Sequence, residues 1–335
     1  MPAKRELFRI AVVDDYQNVA LSIADWSVLD GQATVTVFND HLSDIDAVVA
    51  RLQPFDVVCV MRERTPMTRA IIERLPRLRL IASTAMRNAS IDLEAAAERG
   101  IEIVHTGYSS NPTIELTWAL ILASARNLVA ENASLRAGGW QRFVGDDLAG
   151  RTLGVLGLGN IGSAVARIGK AFGMEVLAWS RNLTPERTAE AGARLVEKDE
   201  LFRLADIVTI HLVLSGRTRG LVGARELALM KPTARLVNTS RGPIVVEADL
   251  ISALECGKIA GAAIDVFDQE PLPSAHPFRS LPNLLATPHI GYVSRDLYSR
   301  FYRETVDNIR QWLDGQSRQV CLPNAPQGQV GGQRQ

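Results

Sequence analysis

Apolar residues along this chain fall into two kinds of run. Short β-branched stretches, apolar almost throughout, alternate with longer stretches in which apolar positions recur at helical spacing. That alternation predicts a parallel α/β architecture. In the first third the strands are expected at "RIAVVDD", "TVTVFN", "DVVCVM", "LRLIAS" and "IEIVHT", with amphipathic segments such as "SDIDAVVARLQP" and "TRAIIERLP" between them. From Asn111-Pro112 the stretch "NPTIELTWALILASARNLVAENASLRAGGW" predicts one long helix, ended at Gly138-Gly139.

A second series follows, with strands expected at "RTLGVLG", "EVLAW", "DIVTIHLV", "ARLVNTS", "GAAIDVF" and "NLLATP". Six strands with helices between them meet the requirement of a doubly wound nucleotide domain. A final helix is expected over roughly 294–314. No short tandem repeat interrupts the pattern.

Bulk properties narrow the class. At 335 residues the chain is longer than one ordinary core and predicts two domains. Lys plus Arg and Asp plus Glu are equal at 37 each, so no net field draws the chain to nucleic acid or anionic lipid. No apolar run reaches the ~18 residues of a membrane span, and the N-terminal apolar run is too short for a secretory signal. Cys59, Cys256 and Cys321 stand far apart without a CxxC pair, which suits a reducing cytosol, so a cytoplasmic location is expected. His41, His105, His211 and His276 share no metal-ligand spacing, and no metal is assigned. The polar, Gly/Gln-rich tail at 323–335 is expected to be disordered.

The first chemical signal is "VLGLGNIG", a strand, a glycine loop and a helix start. Gly157 permits the tight turn, Gly159 lets the backbone approach a pyrophosphate, and Gly162 allows the helix to pack closely on the strand. The free amides and partial positive charge of the helix N-terminus favour the phosphates. The next strand then departs from the usual pattern. It ends in Trp179, Ser180, Arg181 and Asn182, and no acid occurs between Val176 and Pro185 to hold an adenosine ribose.

Arg181 would instead offer a bidentate fork to a 2′-phosphate, with Ser180 adding a neutral hydrogen bond. One charge-assisted contact of about 1.5–3 kcal/mol would favour NADPH roughly tenfold to a hundredfold. The other reading makes Arg181 a solvated residue at a strand end, with NAD held elsewhere. NADP(H) is the favoured cofactor over NAD(H).

Three later stretches carry candidate catalytic groups at strand ends: Arg241 in "LVNTSRGPIVVEADL", Asp265 and Glu270 in "GAAIDVFDQEPLP", and His289 in "LLATPHIGYVS". An Arg, a Glu and a His there suit hydride transfer to a 2-keto acid. Arg241 would hold the substrate carboxylate and polarise the keto oxygen. His289 would protonate that oxygen, and Glu270 on the far ring nitrogen would orient His289 and favour its protonated form.

With "GLGNIG", "NTSRG", "DVFDQEPLP" and "TPHIG" together, the chain resembles the D-2-hydroxyacid dehydrogenase family from about residue 45 to 320, most strongly over 150–291. The resemblance implies an NAD(P)-dependent enzyme interconverting a small 2-keto acid and its D-2-hydroxy acid, with Arg241, Glu270 and His289 catalytic. It implies cofactor contacts from Asn160 and Ile161, from Thr239 and Ser240, from Asp265 to the nicotinamide amide, and from Gly291. It also implies a split substrate domain (1–106 with 293–322) around a nucleotide domain (107–292), and a homodimer formed through 111–148.

The family's glycine-rich substrate loop is altered. "STAMRNASIDL" places Ala85, Met86, Arg87 and Asn88 where glycines are usual. Arg87 would either bring a second cation to a larger or more acidic substrate or point to solvent, leaving only the backbone to act. Two other functions fit the same fold. A formate or phosphite dehydrogenase is one, though formate enzymes of this fold carry Gln at the position of Glu270. A dinucleotide-sensing, corepressor-like binding protein is the other, and the intact Arg241, Glu270 and His289 set argues against it.

Overall fold

The computed structural model describes residues 6–86 and 88–316. Arg87, Cys321 and the 323–335 tail, for which expectations were stated above, lie outside the described residues. The chain divides into two compact units. One takes both ends, up to Ser109 and again from Arg295, and the other is Ser110–Ser294.

In the first unit five parallel strands, β1 (Phe8–Val12), β2 (Ala33–Val37), β3 (Val57–Val60), β4 (Leu80–Ser83) and β5 (Glu102–His105), form a sheet in the order β2-β1-β3-β4-β5. The helix Arg295–Leu313 belongs to this unit. Its Trp312 ring meets Phe8 edge-on at 5.1 Å, and Trp312 Nε1 donates to Glu102 at 2.9 Å.

The second unit has seven parallel strands: β6 (Thr152–Leu156), β7 (Glu175–Trp179), β8 (Arg194–Leu195), β9 (Ile207–Ile210), β10 (Arg235–Asn238), β11 (Gly261–Ile264) and β12 (Leu284–Ala286). Their order is β12-β11-β10-β9-β6-β7-β8. The strands are apolar at consecutive positions because both faces are covered. Leu153, Val155, Val176 and Val237 join one core with the helices Asn111–Ala125 and Asn160–Ala171. Leu156, Leu177 and Leu236 join the other, beneath Leu201, Phe202 and Leu254. The chain reverses its direction of travel across the sheet between β6 and β9, and open α/β sheets bind ligands beyond the carboxyl ends of the strands at such a point.

Two expectations need correction. Seven strands form where six were expected, because β8 has only two residues and leaves no hydrophobic pattern. The long helix is two helices, Asn111–Ala125 and Leu128–Arg136. Asn127 between them takes a left-handed backbone (φ 51°), a conformation Asn tolerates without a Gly or Pro to announce it. Trp140 is 74% exposed on the segment after that break. No helix among the described residues is long and apolar enough to cross a membrane.

Candidate active site

The glycine loop occupies the reversal point. Gly157 follows β6 with φ 94°, and a Cβ there would lie 2.5 Å from the carbonyl oxygen of His211, just past β9. A Cβ on Gly162 would lie 1.9 Å from the Gly157 carbonyl oxygen, so the turn closes only with glycine at both positions. Gly159 differs. Nothing stands within 4 Å of its Cβ position, and it caps the 12-residue helix that begins at Asn160. Asn160 is exposed and Ile161 half-buried. Free helix amides facing open space fit a dinucleotide pyrophosphate. Beyond β7, Ser180 is half-buried and its carbonyl accepts from Leu183 N. Arg181 is exposed on that turn and forms no ion pair with any described residue.

Arg241, Glu270 and His289 leave three neighbouring strands, β10, β11 and β12, at their carboxyl ends. Side-chain hydrogen bonds close each loop. The buried Asn238 amide donates to the Arg241 carbonyl at 3.0 Å and accepts from Ser240 N at 3.0 Å, a local turn of the kind Asn side chains favour. Ser240 Oγ reaches the end of β9 through the Ile210 carbonyl (2.7 Å), and the Thr239 hydroxyl meets that of Thr117 at 2.8 Å. Arg241 Nη1 donates to the Ser240 carbonyl at 2.9 Å.

Glu270 divides its two oxygens. Oε1 accepts from Phe267 N at 2.9 Å and closes the loop, while Oε2 lies 2.5 Å from His289 Nδ1. An ionised carboxylate can only accept, so Nδ1 carries the proton and Nε2 is the nitrogen left for exchange with a substrate. Burial pushes the Glu270 carboxyl up. The hydrogen bond and charge of His289, the Phe267 amide and the charge of Arg241 outweigh it and hold the group below its ordinary value. His289 has a left-handed backbone (φ 51°), and the Tyr292 ring meets its imidazole edge-on at 5.4 Å.

Asp265 sits at the end of β11, 1% exposed. Its Oδ1 accepts from the Thr287 hydroxyl (2.6 Å) and Ile290 N (2.8 Å), and its Oδ2 from Gly291 N (2.7 Å). The structure therefore places Asp265 as the clasp of the His289 loop. Burial raises its carboxyl above the ordinary value against the pull of those donors and of His289. Neither this clasp nor the Tyr292 contact could be read from the sequence, because donors and acceptors here meet across more than twenty positions, and nothing in "HIGY" marks the ring's direction.

In the first unit, Ala85 is buried with φ 66°, the left-handed conformation for which glycine is usual, and its amide donates to Thr106 Oγ1 at 2.9 Å. Met86 is 64% exposed. Asn88 donates to the Arg62 carbonyl at 2.6 Å, and Arg62 N donates to Thr84 Oγ1 at 2.8 Å, so the loops after β3 and β4 are stitched together. The Arg62 guanidinium lies over the Tyr108 ring at 5.0 Å.

Residues 118–291 match the family model described as D-isomer specific 2-hydroxyacid dehydrogenase, NAD binding domain. A glyoxylate reductase of Aeropyrum pernix is 42% identical over 255 residues, covering 73% of this chain and 76% of its own. The chain belongs to the D-isomer specific 2-hydroxyacid dehydrogenases. A D-3-phosphoglycerate dehydrogenase of Methanocaldococcus jannaschii is 37% identical over 292 residues, spanning 85% of this chain and 55% of its own. Among solved structures, a phosphoglycerate oxidoreductase of Vibrio cholerae superposes with a TM-score of 0.87 at 37% identity, covering 92% of this chain and all of the other. The chain is thus an NAD(P)-binding oxidoreductase of the 2-hydroxyacid dehydrogenase and 2-ketoacid reductase class.

Proposed function

We propose that this enzyme interconverts a small 2-keto acid and its D-2-hydroxy acid, with Arg241, Glu270 and His289 as its catalytic residues. The observation that carries the reading is the 2.5 Å contact of Glu270 with His289, on strand ends beside Arg241. Bound NAD(P)H supplies the hydride. In reduction Arg241 pairs with the substrate carboxylate and polarises the keto oxygen, and His289 gives its Nε2 proton to that oxygen. Glu270, kept ionised, stabilises the imidazolium before the transfer and fixes the ring throughout. Oxidation runs the same transfers backwards.

Gly157, Gly159, Asn160, Ile161 and Gly162 are assigned to the pyrophosphate, and Thr239, Ser240, Asp265 and Gly291 to the nicotinamide side. Ser180 and Arg181 are assigned to the adenosine ribose, with NADP(H) favoured over NAD(H). An exposed guanidinium on a turn without any acid, with no ion pair among the described residues, supports that preference. The unit built from both chain ends serves the substrate, through Ala85, Met86 and Arg87. A homodimer is proposed on the surface around 128–144, where Leu128, Val129, Leu135, Trp140 and Val144 are all exposed in the single chain.

The test is cofactor oxidation at 340 nm with glyoxylate, hydroxypyruvate, pyruvate, phenylpyruvate and 3-phosphohydroxypyruvate, each with NADPH and NADH. Turnover of one or more of these acids is expected. Tight dinucleotide binding without turnover of any of them would overturn the reading.

A further inference from the structure

Two polar side chains behind the proposed catalytic loops are not used by the chemistry above. Glu247 begins the helix that follows the Arg241 turn, and His276 lies on the segment that follows Glu270. His276 Nε2 is 2.9 Å from Glu247 Oε1, and both side chains are mostly buried, at 15% and 24% exposure. The Phe278 amide donates to His276 Nδ1 at 3.2 Å, so the ring proton belongs on Nε2, directed at the carboxylate.

The same two loops also touch through their backbones. A Cβ on Gly242, the residue after Arg241, would lie 2.1 Å from the Phe267 carbonyl carbon and 2.6 Å from Asp268 N. Phe267 is the residue whose amide holds Glu270. Its ring neighbours that of Phe278 at 6.3 Å, and Phe278 in turn neighbours His276 at 4.9 Å. Between Glu270 and His276 the segment has little freedom, since Arg279 donates to the Leu272 and Pro273 carbonyls and His276 N returns to Pro273.

We infer that the Glu247–His276 pair is a latch that fixes the Arg241 loop against the Glu270 loop, making both positioning residues for the reaction. The inference rests on the function proposed above. The Glu270 and Arg241 loops approach from adjacent strands, and the glycine contact and this pair both join them beyond the sheet edge. Without the latch the 271–279 segment keeps its own turn and the Phe278 packing but loses its hydrogen bond to the start of the helix at Glu247. Glu270, and with it His289, then drifts relative to the carboxylate clamp. Misplacements of this order cost about 10- to 100-fold in rate.

The experiment compares His276→Gln, His276→Asn and Glu247→Ala with the wild type, measuring kcat, KM for the best keto acid, dinucleotide Kd by fluorescence, and Tm. Gln places an N–H donor where Nε2 stands, whereas Asn keeps only the acceptor facing Phe278. His276→Gln is expected to stay within about threefold of wild-type kcat. His276→Asn and Glu247→Ala are expected to lose about 10-fold or more in kcat, with NADPH Kd unchanged. Equal activity of Gln and Asn variants, or a loss of Tm with kcat per folded enzyme intact, would overturn the latch alone. A wild type that turns over no keto acid would overturn the proposed function, and the latch with it.

Discussion

The Asp265 carboxylate accepts the Gly291 amide at 2.7 Å, two residues beyond His289, while its other oxygen holds Thr287 and Ile290. His289 is thereby gripped from both sides in a left-handed conformation it would rarely hold unaided. Replacing one oxygen by an amide sets a donor against donors inside the fold. Asp265→Asn is expected to cost about 1–3 kcal/mol in stability and to lower kcat, checked by urea unfolding and steady-state rates. Unchanged values in both would show that the clasp carries no weight.

The acid–base assignment makes a sharper demand. His289→Ala and Arg241→Ala are each expected to lower turnover at least ~100-fold, the low end for general acid–base catalysis. Glu270→Gln keeps the shape and removes the charge, so it should lower kcat while leaving dinucleotide affinity in place. Near-wild-type rates in either alanine variant would remove the mechanism.

Stability should fall on the acid side for two reasons. Glu270 is held below its ordinary value, so its contribution is complete above the unfolded carboxyl range and is lost as pH drops through its folded value. Burial depresses His211, beside the glycine loop, to about 3 from 6.5. Between those values the unfolded chain binds the extra proton, so stability rises with pH there, by at most about 1.4 kcal/mol per unit. Urea midpoints measured from pH 7 down to 3 should decline, and His211→Gln should flatten the slope between pH 6.5 and 5, where Glu270 does not contribute. An identical slope in the variant would count against the depressed imidazole.

Cofactor choice is tested at one residue. Arg181→Asp should move the ratio of kcat/KM values from NADPH toward NADH by tenfold or more, the scale of a charge-assisted contact, about 1.5–3 kcal/mol. A ratio that stays put makes Arg181 a bystander on its turn.

The strands were legible because parallel strands covered on both faces leave unbroken apolar runs, as in "DIVTIHLV". A two-residue strand such as Arg194–Leu195 leaves none. The helix break was illegible because nothing in "SARNLV" separates an Asn that continues a helix from one that turns left-handed. Arg241, Glu270 and His289 could be picked out from their places after strands. The groups that hold them could not, since the partnerships of Asp265 with Gly291 and of His276 with Glu247 depend on loops that adjoin only once the sheet has formed.

The stitched loops of the first unit bear on how this enzyme can be re-engineered. Ala85 occupies a glycine conformation, at a cost of roughly 1–2 kcal/mol, and Thr84 and Asn88 on either side of it carry the hydrogen bonds to Arg62. Transplanting a glycine-rich segment from a relative into 84–88 relieves the first but removes the side-chain partners of the Arg62 backbone amide and carbonyl. Such a chimera should melt below the parent. A transplant taking 61–65 as well should recover the difference, and equal Tm values for the two would refute the coupling. The unit that can be exchanged intact here is then a pair of loops, not one.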